Sequence, residues 1–185
     1  MKFNKIAIIA ILAIFTVILA GSASAFDLGF LTGDDSQDAG PTEVTVGGID
    51  FTIPAGFTEN EEYKMDNESD GSPGVDYFMS AAGFEDESKE NAIYIMVADY
   101  GDYNVTNDIL ASVAGDDAVK KTINGKEGYF VESTNDQAAQ ANEQAEMMEM
   151  DEMTADTVYI FMYSENGDLV YIGATDEAYF NEVIN

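Results

Sequence analysis

The sequence predicts an α+β fold, in which a central antiparallel β-sheet built from consecutive hairpins is flanked by helices. Two kinds of observation carry this prediction. Gly-Gly or Asn-Gly pairs separate alternating apolar runs at 47–48, 124–125 and 166–167, and such pairs supply the positive φ angles of tight hairpin turns. Apolar residues recur at helical spacing in 104–114 and again after Thr175. Strands therefore dominate, with helices inserted between them.

The first half of the domain contains three strand-forming regions. Residues 44–53 alternate around Gly47-Gly48 as a hairpin that ends at the turn 54–57. Residues 59–74 are acidic and rich in turn formers, which predicts a surface loop. Strands are expected at 75–82 and 92–100, joined by the charged loop 85–91. Because 93–97 is apolar on both faces, it is expected to be a central strand covered on both sides.

The second half alternates between helices and hairpins. Residues 104–114 are predicted to form a helix, with Asn104 or Thr106 as the N-cap and Gly115 as the stop. Hairpins are predicted at 119–133 and 157–174. A short helix from Thr175 should bury Phe180, Val183 and Ile184.

Residues 1–25 have the layout of a secretory signal peptide. A basic start is followed by an apolar run from Ile6 to Ala20 and small residues that end in Ala-Ser-Ala at Ala25. The run is shorter than the roughly 20 residues that cross a bilayer, so no stable membrane span is expected after cleavage. An uncleaved N-terminal membrane anchor is the competing interpretation. We expect residues 26–41 to be a flexible acidic linker and residues 42–185 to be the α+β domain of a protein that is secreted, extracytoplasmic or associated with the cell surface.

The composition excludes several classes of function. The chain has 36 Asp and Glu against 7 Lys, with no Arg, His, Cys or Trp, and a net charge of −29. It therefore lacks Ser-His triads, thiol nucleophiles, disulfides and His or Cys metal ligands. Such a negative field repels nucleic acid. The chain contains neither a distinctive carboxylate spacing nor a Ser-x-x-Lys motif, so no sequence pattern indicates an enzyme.

Three blocks carry a resemblance to a known family: VTVGGIDFTIPAGF (44–57), INGKEGYFVES (123–133) and YIFMYSENGDLVYIGATDEAYFNEVI (159–184). They resemble the Mog1/PsbP-like superfamily, and the chain also resembles a group of uncharacterised secreted proteins of methanogenic archaea. The resemblance implies a sheet flanked by helices, an α/β/α sandwich, and a mostly non-enzymatic accessory role. The matching positions are turns and core, so it implies no functional residue.

Residues 135–156 are rich in Ala, Glu, Gln and Met, and are predicted to be helical. Met147, Met150 and Met153 step by three along one face. Thioethers select soft Cu⁺, so this row is a candidate copper site. The alternative is a surface helix whose flexible Met side chains fill gaps, and the interleaved Glu side chains prefer hard ions.

An acidic segment provides the second candidate metal site. Asp66, Glu68 and Asp70 alternate before Gly71, as in a calcium loop, but Tyr77 stands where an EF-hand needs a bidentate Glu. The alternative within the calcium hypothesis is a looser Ca²⁺ site formed by Asp66, Glu68, Asp70 and Asp76. The alternative is a solvated acidic loop.

Two sequons and a set of tyrosines complete the candidate sites. Asn67 and Asn104 begin Asn-x-Ser/Thr sequons and are candidate glycosylation sites. Tyrosines on predicted strands could grip a sugar or peptide, or could pack in the core and rim. The expected function is a non-catalytic binding or accessory module for an extracellular protein, glycan or cation. The alternative is an extracytoplasmic cation-binding protein that uses the acidic loop for Ca²⁺ or the Met row for Cu⁺.

Overall fold

The computed structural model describes residues 40–68, 77–115, 117–133 and 157–185. Strands hold 59% of these residues. The elements are β1 (Thr42–Val46), β2 (Ile49–Ile53), β3 (Phe57–Glu68), β4 (Phe78–Asp86), β5 (Ala92–Asp99), α1 (Asn107–Ala114), β6 (Val119–Ile123), β7 (Lys126–Ser133), β8 (Val158–Glu165), β9 (Asp168–Ala174) and α2 (Tyr179–Val183).

Seven strands form one antiparallel sheet in the order β3-β4-β5-β9-β8-β7-β6, and β1 and β2 form a separate two-stranded sheet. β5 lies between β4 and β9, and its residues from Ile93 to Ala98 are all buried. This confirms the prediction that 93–97 is a central strand. β5 takes this central position because its β-branched and aromatic residues pack well on both faces of a covered sheet.

Two different layers cover the sheet. Ile93, Ile95 and Val97 belong to a core shared with the β1–β2 hairpin and α2. The alternate residues Tyr94 and Met96 belong to a second core that includes Leu110 of α1. Because side chains alternate along a strand, β5 supplies both cores. We call the first side of the sheet the hairpin face.

Helix α1 ends before Gly115 as predicted, and it begins at Asn107, directly after the second of the two predicted N-caps. The Thr106 side chain is its N-cap and accepts a hydrogen bond from the Ile109 amide at 3.4 Å, and Gly115 follows its last residue with a φ angle of 84°. The helix packs against β7 and β8 through Leu110, which is fully buried. Thr106 rather than Asn104 is therefore the cap.

The last residues fasten α2 and β2 together. Ile184 forms a bridge with Phe51 of β2. The Asn185 side chain accepts a hydrogen bond from Thr52 at 2.7 Å and donates one to the Asp50 carbonyl at 3.2 Å. Phe180, Val183 and Ile184 are buried, as predicted for the closing helix.

The predicted α/β/α sandwich is wrong. The hairpin face is covered mainly by a β-hairpin, together with an α2 of five residues, and α1 on the opposite face has only eight. The physical reason is that β1–β2 presents its own apolar stripe, through Val46, Ile49 and Phe51, so a ribbon fills the place expected for helices. The predicted helix 135–156 lies outside the described residues.

The predicted surface loop at 59–74 is also wrong in its first part. Residues 57–68 form the edge strand β3, whose pairing with β4 shifts register between Asn60 and Met65 and again between Met65 and Glu68. An edge strand with irregular pairing needs few apolar residues, and acidic side chains discourage pairing with other chains. Because β3 has few apolar residues and many acidic ones, its composition is typical of a surface loop.

None of the helices in the described part of the chain has the length and apolar character that crossing a membrane requires.

Candidate functional site

A cleft of about 380 Å³ lies on the hairpin face, at the end of the sheet that the Gly47-Gly48 turn reaches. It lies where β3, β4, β5 and β9 meet the β1–β2 turn. Its lining residues are Thr45, Gly47, Gly48, Asp66, Asn67, Phe78, Ser80, Val97, Asp99 and Asp168. We call it the acidic cleft, because three of these residues are aspartates and none is a lysine.

Strand alternation explains why β4 and β5 contribute these side chains. Phe78 pairs with Asp99, and Ser80 pairs with Val97. Opposite residues of an antiparallel pair share a face, and so do residues two apart on one strand. Val97 packs in the hairpin-face core, so all four lie on that face. Phe78 remains 39% exposed, which leaves part of an aromatic ring open at the cleft.

Gly47 lets the hairpin turn form one wall of the cleft. Its φ angle is 55°, and a Cβ built on it would lie 2.6 Å from the Cβ of Val97. Any side chain at this position would therefore separate the turn from β5. Beside it, the Thr45 hydroxyl donates a 2.7 Å hydrogen bond to the Asp50 carboxylate.

The opposite wall is formed by an irregular part of β3. Asn67 has a φ angle of 53°, and its backbone N–H donates a hydrogen bond to the buried Ser80 hydroxyl at 3.1 Å. Asn tolerates this left-handed conformation better than most residues. The bond fastens β3 to β4 beside Asp66, which lines the cleft.

Asp99 and Asp168 bring two negative charges together on neighbouring strands. Ala98 pairs with Leu169 between β5 and β9, and the two aspartates are the next residues toward the cleft. The Asp99 carboxylate accepts a hydrogen bond from the Gly101 amide at 2.7 Å. Burial raises the pKa of the Asp168 carboxyl, and the negative charge of Asp99 raises it further.

The four lysines that form ion pairs in the described ranges lie outside the acidic cleft. Lys64 pairs with Glu59 at 3.2 Å, Lys120 with Glu127 at 3.1 Å, Lys126 with Glu165 at 2.7 Å, and Lys121 with Glu177. Glu165 is the register partner of Asp168, so Lys126 neutralises the neighbouring strand end. None of these lysines lines the cleft.

Two of the predicted calcium ligands, Asp66 and Glu68, lie in the described part of the chain. Asp66 lines it, whereas Glu68 is the exposed last residue of β3. Asp70 and Asp76 lie outside the described residues, and so do Met147, Met150 and Met153 of the predicted copper site. Over the described ranges, no group of three or more Asp, Glu, His or Cys side chains is arranged to hold a metal ion.

The two sequon asparagines have different surroundings. Asn67 lies in the cleft wall. The Asn104 side chain is packed over the β8–β9 turn, since a Cβ added to Gly167 would lie 2.3 Å from its Oδ1 atom. The next residue, Val105, donates its amide to the Gly167 carbonyl at 2.7 Å. The Val105 backbone therefore fastens the segment before α1 to that turn, with the Asn104 side chain lying close to Gly167, and modification of Asn104 stays a prediction.

The strand tyrosines divide between core and rim. Tyr94, Tyr163 and Tyr171 are each at most 3% exposed, and burial raises the pKa of all three hydroxyls. Tyr129 and Tyr159 are partly buried against the two cores. These five strand tyrosines therefore pack in the two cores and at their rims.

Sequence reasoning missed Asp99, Asp168 and Phe78. Asp99 ends an apolar strand, and Asp168 starts one directly after an Asn-Gly turn. These positions would have indicated a shared sheet edge only if the pairing of β5 with β9 had been known.

Comparison with protein families, with curated proteins and with solved structures gave no match to this chain. The Mog1/PsbP-like resemblance stays a prediction.

Proposed function

We propose that this protein is an exported, non-catalytic binding domain whose acidic cleft receives a positively charged group of an extracytoplasmic partner. One observation carries the proposal: Asp66, Asp99 and Asp168 line a single cleft that none of the ion-paired lysines enters. A concave site lined by charges of one sign concentrates ligands of the opposite sign. We expect that ligand outside the cytoplasmic membrane, because residues 1–25 have the layout of an export signal.

The lining favours an organic cation, such as a lysine side chain of a basic peptide, over a single metal ion. A hard metal ion needs several oxygen ligands converging at 2.3–2.6 Å for Ca²⁺, and the described residues offer no such group of three. An ammonium group with an alkyl stem can instead contact carboxylates on opposite walls. The partly exposed Phe78 ring then supplies apolar and cation–π contact, worth about 0.5–1 kcal/mol at an exposed site.

The test is an NMR titration of the purified protein with tri-lysine at constant ionic strength near 0.15 M. The Debye length is then about 8 Å, so the charge of the whole molecule is largely screened. We expect saturable shifts of the amides that line the cleft. Shifts spread evenly over the acidic surface would contradict the proposal, because they would indicate nonspecific attraction to the net charge.

A pair of triple variants separates the cleft from the net charge. In the first, Asp66, Asp99 and Asp168 become Asn, and in the second Glu87, Glu90 and Glu132 become Gln. Both remove three negative charges, but the control residues are exposed and lie outside the cleft. Glu87 and Glu90 follow β4 at the opposite end of the sheet. We expect tri-lysine binding to be lost in the first variant and retained in the second; equal weakening in both would refute the assignment.

The second candidate function is cation binding, and Asp66 favours it because this predicted calcium ligand lies in the same cleft. A parallel Ca²⁺ titration distinguishes the two. The metal ion would replace the organic cation as the proposed ligand if two results were found together. The wild-type protein would bind Ca²⁺ stoichiometrically but not bind tri-lysine, and the Asp66, Asp99 and Asp168 triple variant would lose Ca²⁺ binding.

A further inference from the structure

We infer that cation binding in the acidic cleft is coupled to protonation of Asp168, which lies beside Asp99 on the neighbouring strand, so that the cleft releases its ligand as the surroundings become acidic. This inference rests on the proposed function, because it concerns the regulation of the same site. The two carboxylates lie on adjacent antiparallel strands with no lysine between them in the described residues. A cation and a proton are alternative ways to relieve that repulsion.

Asp99 is the charged group that adds to the raised pKa of Asp168, and the other groups around Asp168 are either neutral or paired, or lie across the cleft. β5 contributes Asp99, and β3 contributes Asp66 across the cleft. β8 contributes Glu165, whose carboxylate is held at 2.7 Å by Lys126. The hairpin turn adds only Thr45, Gly47 and Gly48, with the Asp50 carboxylate behind Thr45, and β4 adds the uncharged Phe78 and Ser80.

The direction of the linkage follows from this environment. Burial and the Asp99 charge raise the pKa of Asp168, so its neutral form persists to a higher pH than for a solvated aspartate. A bound ammonium group stabilises the charged form and lowers that pKa. By linkage, protonation of Asp168 must weaken ammonium binding by the same free energy.

The first experiment needs no ligand. Side-chain carboxyl ¹³C shifts, followed from pH 7 to pH 2.5 in the free protein, give the pKa of Asp168 directly. We expect a value above the ordinary 3.8, lowered in Asp99→Asn and unchanged in Glu87→Gln. An Asp168 carboxyl that titrates normally, or that does not respond to Asp99→Asn, would overturn the inference.

The second experiment measures tri-lysine affinity against pH. In the wild-type protein the affinity should fall by up to tenfold for each pH unit below the pKa of Asp168, as one linked proton requires. Asp168→Asn should bind more weakly at pH 7 and lack this step. Binding that has the same pH profile in wild type and Asp168→Asn would overturn the linkage while leaving the proposed function intact. Absence of binding at every pH would overturn the proposed function itself, and the linkage with it.

Discussion

Replacing Gly47 with alanine should force the β1–β2 turn away from the sheet and open the cleft wall. The added Cβ would lie 2.6 Å from the Val97 Cβ and 2.8 Å from its Cγ1. Ordinary contact begins near 3.4 Å, so the turn must move by roughly 0.8 Å or Val97 must repack. Overpacking of this kind costs about 1–3 kcal/mol. The left-handed φ angle of 55° adds about 1–2 kcal/mol for alanine.

Gly48 provides a matched control in the same turn. Its φ angle is 80°, but no atom lies within 4 Å of a Cβ at that position. Gly48→Ala should therefore cost only the backbone strain of about 1–2 kcal/mol. The difference between the two variants, about 1–3 kcal/mol, isolates the contact with Val97.

Urea denaturation at pH 7, followed by far-UV circular dichroism, measures that difference. With a slope near 2 kcal/mol per molar urea, a 2 kcal/mol difference separates the two midpoints by about 1 M. The tri-lysine affinity of Gly47→Ala should also fall, because Gly47 and Gly48 line the cleft. Midpoints that agree within about 0.2 M would show that the turn does not rest on β5, and would refute this account of the cleft wall.

Four further predictions concern the rest of the domain. Leu110→Ala should cost about 2–5 kcal/mol in urea, because Leu110 is fully buried beneath α1; a cost below 1 kcal/mol would contradict that packing. Although burial opposes it, hydrogen bonds from Asn91 and Ser88 lower the pKa of Asp86. Asp86→Ala should therefore destabilise the protein at pH 7 and progressively less as the pH falls below the ordinary carboxyl range, and a pH-independent loss would refute this. Because the pKa of Asp168 is raised on folding, Asp168→Asn should stabilise the protein at pH 7 but not below that range, and destabilisation at pH 7 would count against it. Finally, NaCl at 1 M should raise the Tm above its value at 0.05 M, since salt screens the repulsion within a chain of net charge −29; an unchanged Tm would show that the charges are already compensated.

Local signals in the sequence predicted most of the individual elements. The turns at Gly47-Gly48, Asn124-Gly125 and Asn166-Gly167 join paired strands as expected, because each requires φ angles that few other residues adopt. Helix α1 was predicted from its apolar spacing and from the stop at Gly115. These features depend on neighbouring residues, which a single sequence contains.

The layer arrangement was not predicted, because it depends on long-range contacts. The apolar stripe of β1–β2 fits a hairpin in the main sheet as well as a hairpin lying on it. Val97 against Gly47 and Phe51 beside Ile184 decide between these arrangements. Similarly, β3 has few apolar residues because it is an edge strand, so its composition was interpreted as that of a loop.

The cleft lay beyond sequence reasoning for the same reason. Asp66 is predicted as a metal ligand because it belongs to an acidic segment, but the other aspartates of the cleft come from other strands. Asp99 and Asp168 become neighbours only when β5 pairs with β9. No spacing in the sequence signals that pairing.

The order of strands also governs when this protein can fold. β5 occupies the middle of the sheet, yet its partner β9 comes about 70 residues later in the chain. Likewise, Phe51 can form its bridge only once Ile184, near the end of the chain, is present. A chain that emerges from a ribosome or a translocation channel with its N-terminal part first can form separate hairpins, but cannot complete either core until β9 and α2 have emerged. Contacts so distant in sequence slow folding and prolong exposure of apolar strands. Repulsion between the many carboxylates would help to keep such unfinished chains apart, so the acidity can serve the nascent chain before it serves any ligand.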